Sequence, residues 1–328
     1  MRQGTHARVT QRGVSQEGAA LLRRIRVPAE SVCVSCIGWQ MGEVIMTDRP
    51  SFTNQQINTI VPDRTKVDPL FLYYSLRPRK QELLSLGATT GVRTPILNKS
   101  AFSDLRVVLP PMPVQRHLVG ILSAYDELIE NSQRRIRILE TMARALYREW
   151  FVHFRFPGHG TIPRVVSPIG DVPGGWEVRP FSALASYLNG YAFKPSDLGS
   201  EGKPVIKIKE LKAGISDDTP RNPGDEIPAK FIVRDGDVLF SWSADLDAYL
   251  WLEGEGLLNQ HLFNVLPFDG ISKAFVFHAL KESMPRFRAL SLGATMHHIK
   301  RSALDQVHCT FSFSNPGGAR LPFTRRCL

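Results

Sequence analysis

The clearest hydrophobic pattern in the chain is a helical repeat between residues 115 and 151. Apolar side chains recur there at alternating steps of four and three residues, as in a coiled-coil seam, and only Ser132 interrupts the series. No proline occurs in this segment, so the spacing predicts one helix about 55 Å long. Such a helix needs a partner helix along its seam. The seam consists of Leu118, Leu122, Tyr125, Ile129, Ile136, Leu139, Ala143, Leu146 and Trp150.

Both regions outside this helix mix strand and helix patterns. Before it, residues 31–46 alternate as strands do, and the spacing of residues 69–86 predicts a helix with a break at Pro78. After it, residues 234–240 predict a turn and a strand, and residues 273–292 predict a helix. The sequence therefore predicts an α+β protein in which two related mixed α/β domains are separated by a long coiled-coil-type helix.

The two regions are related because three motifs occur in both, in the same order and about 205 residues apart. A repeat at this distance indicates a duplicated domain rather than a solenoid. We expect the repeated Asn–Gln pairs to brace the domain, and the glycine of the pentapeptide to end a helix as its C-cap. The motifs are Asn54–Gln55 and Asn259–Gln260, Ser85–Thr89 and Ser291–Thr295, and Lys99–Phe102 and Arg301–Leu304.

The loop between the second and third motifs differs between the copies, being four residues shorter in the second. A retained scaffold with a changed loop suggests two related readers of different targets. Arginine can bond guanine and asparagine can bond adenine, so the loop residues are candidate DNA contacts, with a merely solvated loop as the alternative. Adjacent histidines could also bind a metal, but no third ligand is evident. The candidates are Thr90, Arg93, Asn98, Lys99, His297, His298, Lys300 and Arg301.

Composition adds a preference for polyanions. The chain has 328 residues, of which 43% are hydrophobic, enough to build two ordinary domains and to exclude a disordered protein. Its net charge of +10 favours nucleic acid, an anionic membrane or an acidic protein. No apolar run reaches the roughly 18 residues that cross a bilayer, and no secretory signal is present, so we expect a soluble cytoplasmic protein.

The four cysteines predict no disulfide framework. Cys33 and Cys36 have the spacing of half a zinc site, but no second ligand pair follows at a suitable distance. Because the surrounding residues alternate, we interpret both as buried strand cysteines.

Motifs for catalysis are scarce. The chain has no phosphate-binding loop of the ATPase type and no element resembling the Asp/Asn–Pro–Pro–Tyr/Phe motif of adenine methyltransferases. Asp197, Glu210 and Lys212 have the loose spacing of a metal-dependent nuclease, which we keep as an alternative. Lys207 and Lys209 alternate with isoleucines as on a half-solvated strand. We therefore expect no catalytic residue, no metal and no cofactor.

Residues 109–116, 121–131 and 143–151 closely resemble the central helical region of type I restriction-modification specificity subunits. Residues 173–177 look like the start of that family's second target-recognition domain, and the resemblance covers about residues 28–312. It implies a non-catalytic subunit whose two domains each read half of a split site in double-stranded DNA. Partner methyltransferase (modification) subunits would methylate adenine, and a restriction/motor subunit would translocate and cleave DNA. A helix of about 55 Å exceeds one turn of B-DNA, so it suits two contacts in successive major grooves.

The sequence departs from the family at both ends. A complete member has a second long helix after its second domain, whereas residues 313–328 lack that pattern, and the first domain is about 30 residues shorter than the second. A truncated, inactive or regulatory remnant is therefore the alternative to an active subunit. The predicted segments are a loose basic lead-in (1–26), a first target-recognition domain (27–110), a spacer helix (111–157), a linker (158–171), a second target-recognition domain (172–312) and an atypical tail (313–328).

Overall fold

The computed structural model describes residues 4–8, 10, 13–38, 41–88, 94–291 and 297–312. The chain divides into two compact units, Met1–Ile138 and Leu139–Leu328, and the boundary between them falls inside the longest helix. Each unit combines strands with helices, which confirms the predicted α+β class. Within the described ranges, no helix is both long enough and apolar enough to span a bilayer.

The first unit is built on a four-stranded sheet in the order β1-β4-β3-β6, with β3 antiparallel to both neighbours. Its core packs Val32 and Met46 of this sheet against Leu72, Leu76 and Leu83 of two helices. Its strands are β1 (His6–Ala7), β2 (Arg26–Val27), β3 (Val32–Ser35), β4 (Val44–Thr47), β5 (Ser51–Phe52) and β6 (Ile57–Ile60). Its helices are α1 (Gln16–Leu21), α2 (Pro69–Leu76), α3 (Lys80–Ala88), α4 (Lys99–Ser103) and the start of α5 (Met112–Tyr147).

The predicted helical break at Pro78 is confirmed. Asp68 starts α2 by accepting hydrogen bonds from the backbone amides of Leu70 and Phe71 at 2.9 and 3.3 Å. Residues 77–79 then form a 3-10 turn between α2 and α3, because a proline inside an α-helix removes a backbone donor.

The expectation that Gly87 ends a helix as its C-cap is wrong. Gly87 lies inside α3 and is buried. A Cβ added there would overlap the side chain of Met41 and lie 3.3 Å from the carbonyl carbon of Ile96. In the first copy this glycine is thus closely packed, against the flexible end of the Met41 side chain and the backbone of Ile96, and Gly293 of the second copy lies outside the described residues.

The second unit contains two four-stranded sheets, ordered β10-β18-β14-β16 and β12-β11-β17-β13. Helix α7 packs its buried side, including Phe275 and Phe287, into the core that lies on the first of these sheets. The first seven strands are β7 (Arg164–Ser167), β8 (Gly170–Pro173), β9 (Glu177–Pro180), β10 (Ala185–Asn189), β11 (Lys203–Ile206), β12 (Arg221–Asn222) and β13 (Ile232–Val233). The next seven are β14 (Val238–Ser241), β15 (Ser243–Ala244), β16 (Asp247–Leu250), β17 (Gly256–Leu258), β18 (Leu262–Pro267), β19 (His297–His298) and β20 (His308–Phe311). The helices of this unit are α6 (Ile208–Ala213), α7 (Lys273–Ala289) and α8 (Ala303–Gln306).

The duplicated motifs correspond to a shared antiparallel arrangement. Strands β4-β3-β6 of the first unit and β16-β14-β18 of the second have the same order along the chain and in the sheet. Asn54 accepts a hydrogen bond from the amide of Gln56 at 3.1 Å, and Asn259 accepts one from the amide of His261 at 3.4 Å. Both asparagines therefore brace the turn that leads into the third strand of the arrangement.

Helix α5 starts at Met112, so Pro113 lies in its first turn, where a missing amide donor costs nothing. The proline-rich segment thus opens the helix as well as stopping the preceding element. At the other end, a π turn spans residues 148–152, and Tyr147 and Phe151 are buried in the core of the second unit. The predicted long helix is confirmed: it begins three residues before the predicted start at Gln115, and its α-helical part ends at Tyr147, before the π turn.

Candidate nucleic-acid interface

The first predicted contact loop is held at its base by backbone hydrogen bonds. The amide of Ile96 donates to the carbonyl of Gly87 at 3.3 Å, and the amide of Leu97 donates to the carbonyl of Cys36 at 2.9 Å. Leu97 is buried, so it anchors the loop in the core. Thr90 and Arg93 lie outside the described residues.

Asn98 and Lys99 follow this anchor. The Asn98 side-chain oxygen accepts a hydrogen bond from the amide of Ala101 at 2.8 Å, so this residue serves as the N-cap of α4. Its side-chain oxygen is therefore engaged in the fold, and both Asn98 and Lys99 are exposed.

The second predicted loop is anchored in the same way. The amide of Ile299, which is buried, donates to the carbonyl of Trp242 at 3.0 Å. The preceding pair of histidines forms β19, which pairs antiparallel with Ser243 and Ala244 of β15. His298 is exposed. For His297, only the backbone is among the described parts of the chain.

Two cations follow β19 on the surface. Lys300 and Arg301 are exposed, and neither has an acidic partner within the part of the chain that the structure describes. The guanidinium carbon of Arg301 lies 5.9 Å from the ring centroid of Phe263. These side chains can contact phosphates because their charges are not neutralised within the fold.

Beside this loop, three further residues form a cluster that the sequence did not single out. Nδ1 of the exposed His261 lies 3.2 Å from Oγ of Ser243, and the His261 and Trp242 rings are 5.9 Å apart. Trp242 donates from Nε1 to the carbonyl of Gln260 at 3.2 Å. The residues come from two separate segments, and the pairing of β14 with β18, in which Ser241 lies opposite Leu262, brings them together. The repeated Asn–Gln motif directly before His261 was the available signal.

Aromatic side chains continue this surface on the other side of Gln260. The amide of Gln260 donates to the carbonyl of Tyr191 at 3.0 Å. The Tyr191 ring lies 5.0 Å from Phe193 and 5.5 Å from Phe231, and Nζ of Lys230 lies 5.0 Å from the Phe231 ring. The three rings are half-buried and pack against a small core of the second unit, so they support this surface from below with one cation, Lys230, beside them.

The acidic residues of the nuclease alternative accept hydrogen bonds from nearby backbone amides. The Asp197 carboxylate accepts from the amide of Lys194 at 2.8 Å, and the buried Glu210 carboxylate accepts from the amide of Lys207 at 3.1 Å. Lys212 pairs with Asp245 at 2.5 Å. Among the described residues, no three His, Cys, Asp or Glu side chains are grouped to hold a metal ion.

The strand expected around Lys207 and Lys209 is correct only as far as Ile206. Strand β11 ends at Ile206, and α6 begins at Ile208, so Lys209 lies on a helix. The capping bond from Glu210 to the Lys207 amide favours this turn into a helix over a continued strand.

The cysteine pair is buried in and next to β3, which confirms the strand interpretation. Sγ of Cys33 lies 3.6 Å from Oγ1 of Thr59, and Sγ of Cys36 lies 3.7 Å from the carbonyl of Gln55. Burial raises the pKa of both thiols, which disfavours the thiolate that zinc requires.

The predicted seam of α5 is largely uncovered by the described chain. Leu118, Leu122, Tyr125, Ile129, Ile136 and Leu139 are exposed by 40 to 64% of their surface. Leu146 is half-buried, and Trp150, in the π turn, packs against the core of the second unit. Further exposed apolar residues widen the apolar face, namely Val114, Ile121, Leu128, Ile138 and Met142.

Sequence comparisons identify relatives with one shared role. A sequence profile described as a type I restriction modification DNA specificity domain matches residues 7–141. The type I restriction enzyme MjaVIII specificity subunit of Methanocaldococcus jannaschii is 26% identical over 178 residues, which is 54% of this chain and 40% of that protein. The HindI specificity subunit of Haemophilus influenzae is 37% identical over 132 residues, or 39% of this chain and 28% of that protein. The chain thus spans less than half the length of these two curated relatives.

A solved structure shares the fold. The S subunit of a type I restriction-modification system from M. genitalium aligns with a TM-score of 0.52 and 16% identity, over 88% of this chain and 73% of that one. This similarity supports the arrangement of two mixed domains and a long helix.

Proposed function

We propose that this chain, which is similar to specificity subunits of type I restriction-modification systems, is the DNA-recognition component of such a complex. It carries no catalytic centre in this proposal and acts in the cytoplasm. Partner methyltransferase subunits methylate adenine in a split DNA site, and a motor subunit provides translocation and cleavage.

The observation that supports this role most strongly is the matching pair of anchored loops. Leu97 bonds to Cys36 and Ile299 bonds to Trp242 through the same kind of backbone contact, after loops of different sequence and length. One scaffold that presents two different loops suits a site whose two halves differ. Thr90, Arg93, Asn98, Lys99, His297, His298, Lys300 and Arg301 are the proposed contacts within this role.

The exposed seam of α5 supports a partner helix from another subunit. An apolar face of this length on a soluble helix is normally covered, because its burial stabilises by roughly 25 cal/mol per Å². We place the partner-helix contact on the seam residues from Leu118 to Trp150.

Co-expression with a cognate methyltransferase subunit tests the proposal. We expect the two chains to co-purify and to methylate adenine within a split motif, and DNA affinity to fall steeply with salt because phosphate contacts release counterions. Co-purification without any methylated motif would favour a regulatory remnant. A DNA affinity that does not change with salt would contradict the DNA-recognition role.

A further inference from the structure

Each copy of the duplicated module fixes the backbone of one exposed polar residue directly after the repeated Asn–Gln pair. In the first copy this residue is Gln56, and in the second it is His261. Both residues donate their amide to the preceding asparagine side chain, at 3.1 and 3.4 Å. The repeated pair is thus a common frame, and the residue that follows it differs between the copies.

The frame itself is firmly held in both units. The amide of Ile57 donates to the carbonyl of Asn54 at 3.1 Å, and the amide of Leu262 donates to the carbonyl of Asn259 at 3.0 Å. Asn259 and Leu262 are buried. A residue on such a turn has little backbone freedom to lose on binding, which favours specific contacts.

In the second unit the side chain is held as well. Ser243 bonds to Nδ1 of His261, and the ring lies against Trp242, which is itself fixed by its bond to the carbonyl of Gln260. Nε2 of His261 has no hydrogen-bond partner among the described residues, and the side chain is exposed. One nitrogen therefore orients the ring, and the other is available to bind a ligand.

The chemistry of the two residues fits the edges of bases. Glutamine can bond N6 and N7 of adenine as a pair, and an oriented imidazole nitrogen can bond a single donor or acceptor in the major groove. The neighbouring Lys300 and Arg301 carry charges that can contact phosphates. Both loop anchors lie next to the frame, because the carbonyl of Gln56 accepts from Cys36 at 2.9 Å and Trp242 contacts His261.

From this geometry we propose that Gln56 and His261 are further base-reading residues of the two recognition modules, one for each half of the site. The inference rests on the proposed DNA-recognition function and adds specificity residues outside the two variable loops. Gln56 selects adenine at one position of its half-site, and His261 selects one base in the other half-site.

The test compares the sequences that the complex with its methyltransferase subunit selects from a randomised duplex DNA library. Variants are Gln56→Ala, His261→Ala and Lys300→Ala. We expect each of the first two to lose base preference at one position by roughly tenfold or more, in different halves of the motif. Lys300→Ala should weaken binding to all sequences alike. It should also reduce the slope of log affinity against log salt concentration by about one.

The two reader variants serve as controls for each other, because each must leave the other half-site unchanged. His261 and Gln56 are exposed, so unchanged thermal unfolding verifies that the variants are folded. If the wild-type complex selects a motif and both alanine variants select the same motif with unchanged base preferences, the assignment of Gln56 and His261 is overturned. The proposed DNA-recognition function would still stand. A wild-type complex that selects no motif would contradict the proposed function and, with it, this inference.

Discussion

The side-chain oxygen of Gln115 accepts a hydrogen bond from the backbone amide of Asp68 at 2.9 Å. The Gln115 amide nitrogen also donates to the carbonyls of Lys66 and Pro110, at 3.1 and 2.8 Å, and the residue is fully buried. One side chain in the first turn of α5 thus fixes the start of α2 to the start of the long helix.

Replacing this residue should destabilise the first unit. Gln115→Ala leaves the Asp68 amide and two carbonyls without their partner, so we expect the free energy of unfolding to fall by about 1–3 kcal/mol. Urea denaturation followed by circular dichroism measures the change, and hydrogen exchange at the Asp68 amide localises it. Gln133→Ala, on the exposed part of the same helix, is the control and should change stability by less than about 0.5 kcal/mol. Equal effects of the two variants would contradict the anchoring role.

Alkaline pH should destabilise the second unit through Cys309. Burial raises the pKa of this thiol from its ordinary value of 9.0 to about 12. Between these values the unfolded thiol ionises and the folded one does not, so stability present below pH 9 is lost as the pH rises. Above pH 9, the free energy of unfolding of the wild type should fall by roughly 1.4 kcal/mol more per pH unit than that of Cys309→Ala. Denaturation midpoints at pH 8 to 10.5 measure this, and parallel pH profiles for the two proteins would refute it.

We expect Glu210 to stabilise the fold and to take no part in DNA cleavage. Glu210→Ala removes the bond to the Lys207 amide at the start of α6, and we expect it to cost about 1 kcal/mol of stability. Any Mg²⁺-dependent cleavage of DNA by the purified complex should be unaffected, since the carboxylate is buried in this cap. The exposed Glu201→Ala is the matched control for stability. Loss of cleavage in Glu210→Ala, with folding retained, would revive the nuclease alternative.

The seam of α5 should be required for association but not for folding. Leu139→Lys places a charge on a residue that is 63% exposed, so the isolated chain should unfold at the wild-type temperature. Co-purification with the methyltransferase subunit should be lost, because a buried charge without a partner costs several kcal/mol. Glu140→Lys, one residue along on an exposed polar position, is the control and should still co-purify. Retained association of the Leu139 variant would argue against the seam.

The elements that sequence predicted best are those with a strong local signal. The heptad pattern defined α5, and Pro78 marked the break between α2 and α3, because apolar spacing and proline act within a few residues. The duplication also followed from short identical motifs. These signals were sufficient for the fold class.

The errors and omissions arose where distant residues decide the structure. Gly87 was expected to end a helix, but the tight contacts with Met41 and Ile96 explain it, and they join segments far apart in sequence. The cluster of Trp242, Ser243 and His261 likewise depends on the pairing of β14 with β18. No local pattern could have assembled it.

The buried anchors Leu97 and Ile299 have a consequence for how such proteins diversify. Each lies at the exit of a variable loop, and each ties the chain back to the core by one backbone bond, whatever the loop contains. Closing a loop of twice the length costs only about 0.6 kcal/mol, so residues before the anchor can be inserted, deleted or exchanged at little cost to folding. Each loop can therefore be exchanged as a unit. New binding preferences can arise in it by recombination without compensating mutations in the core.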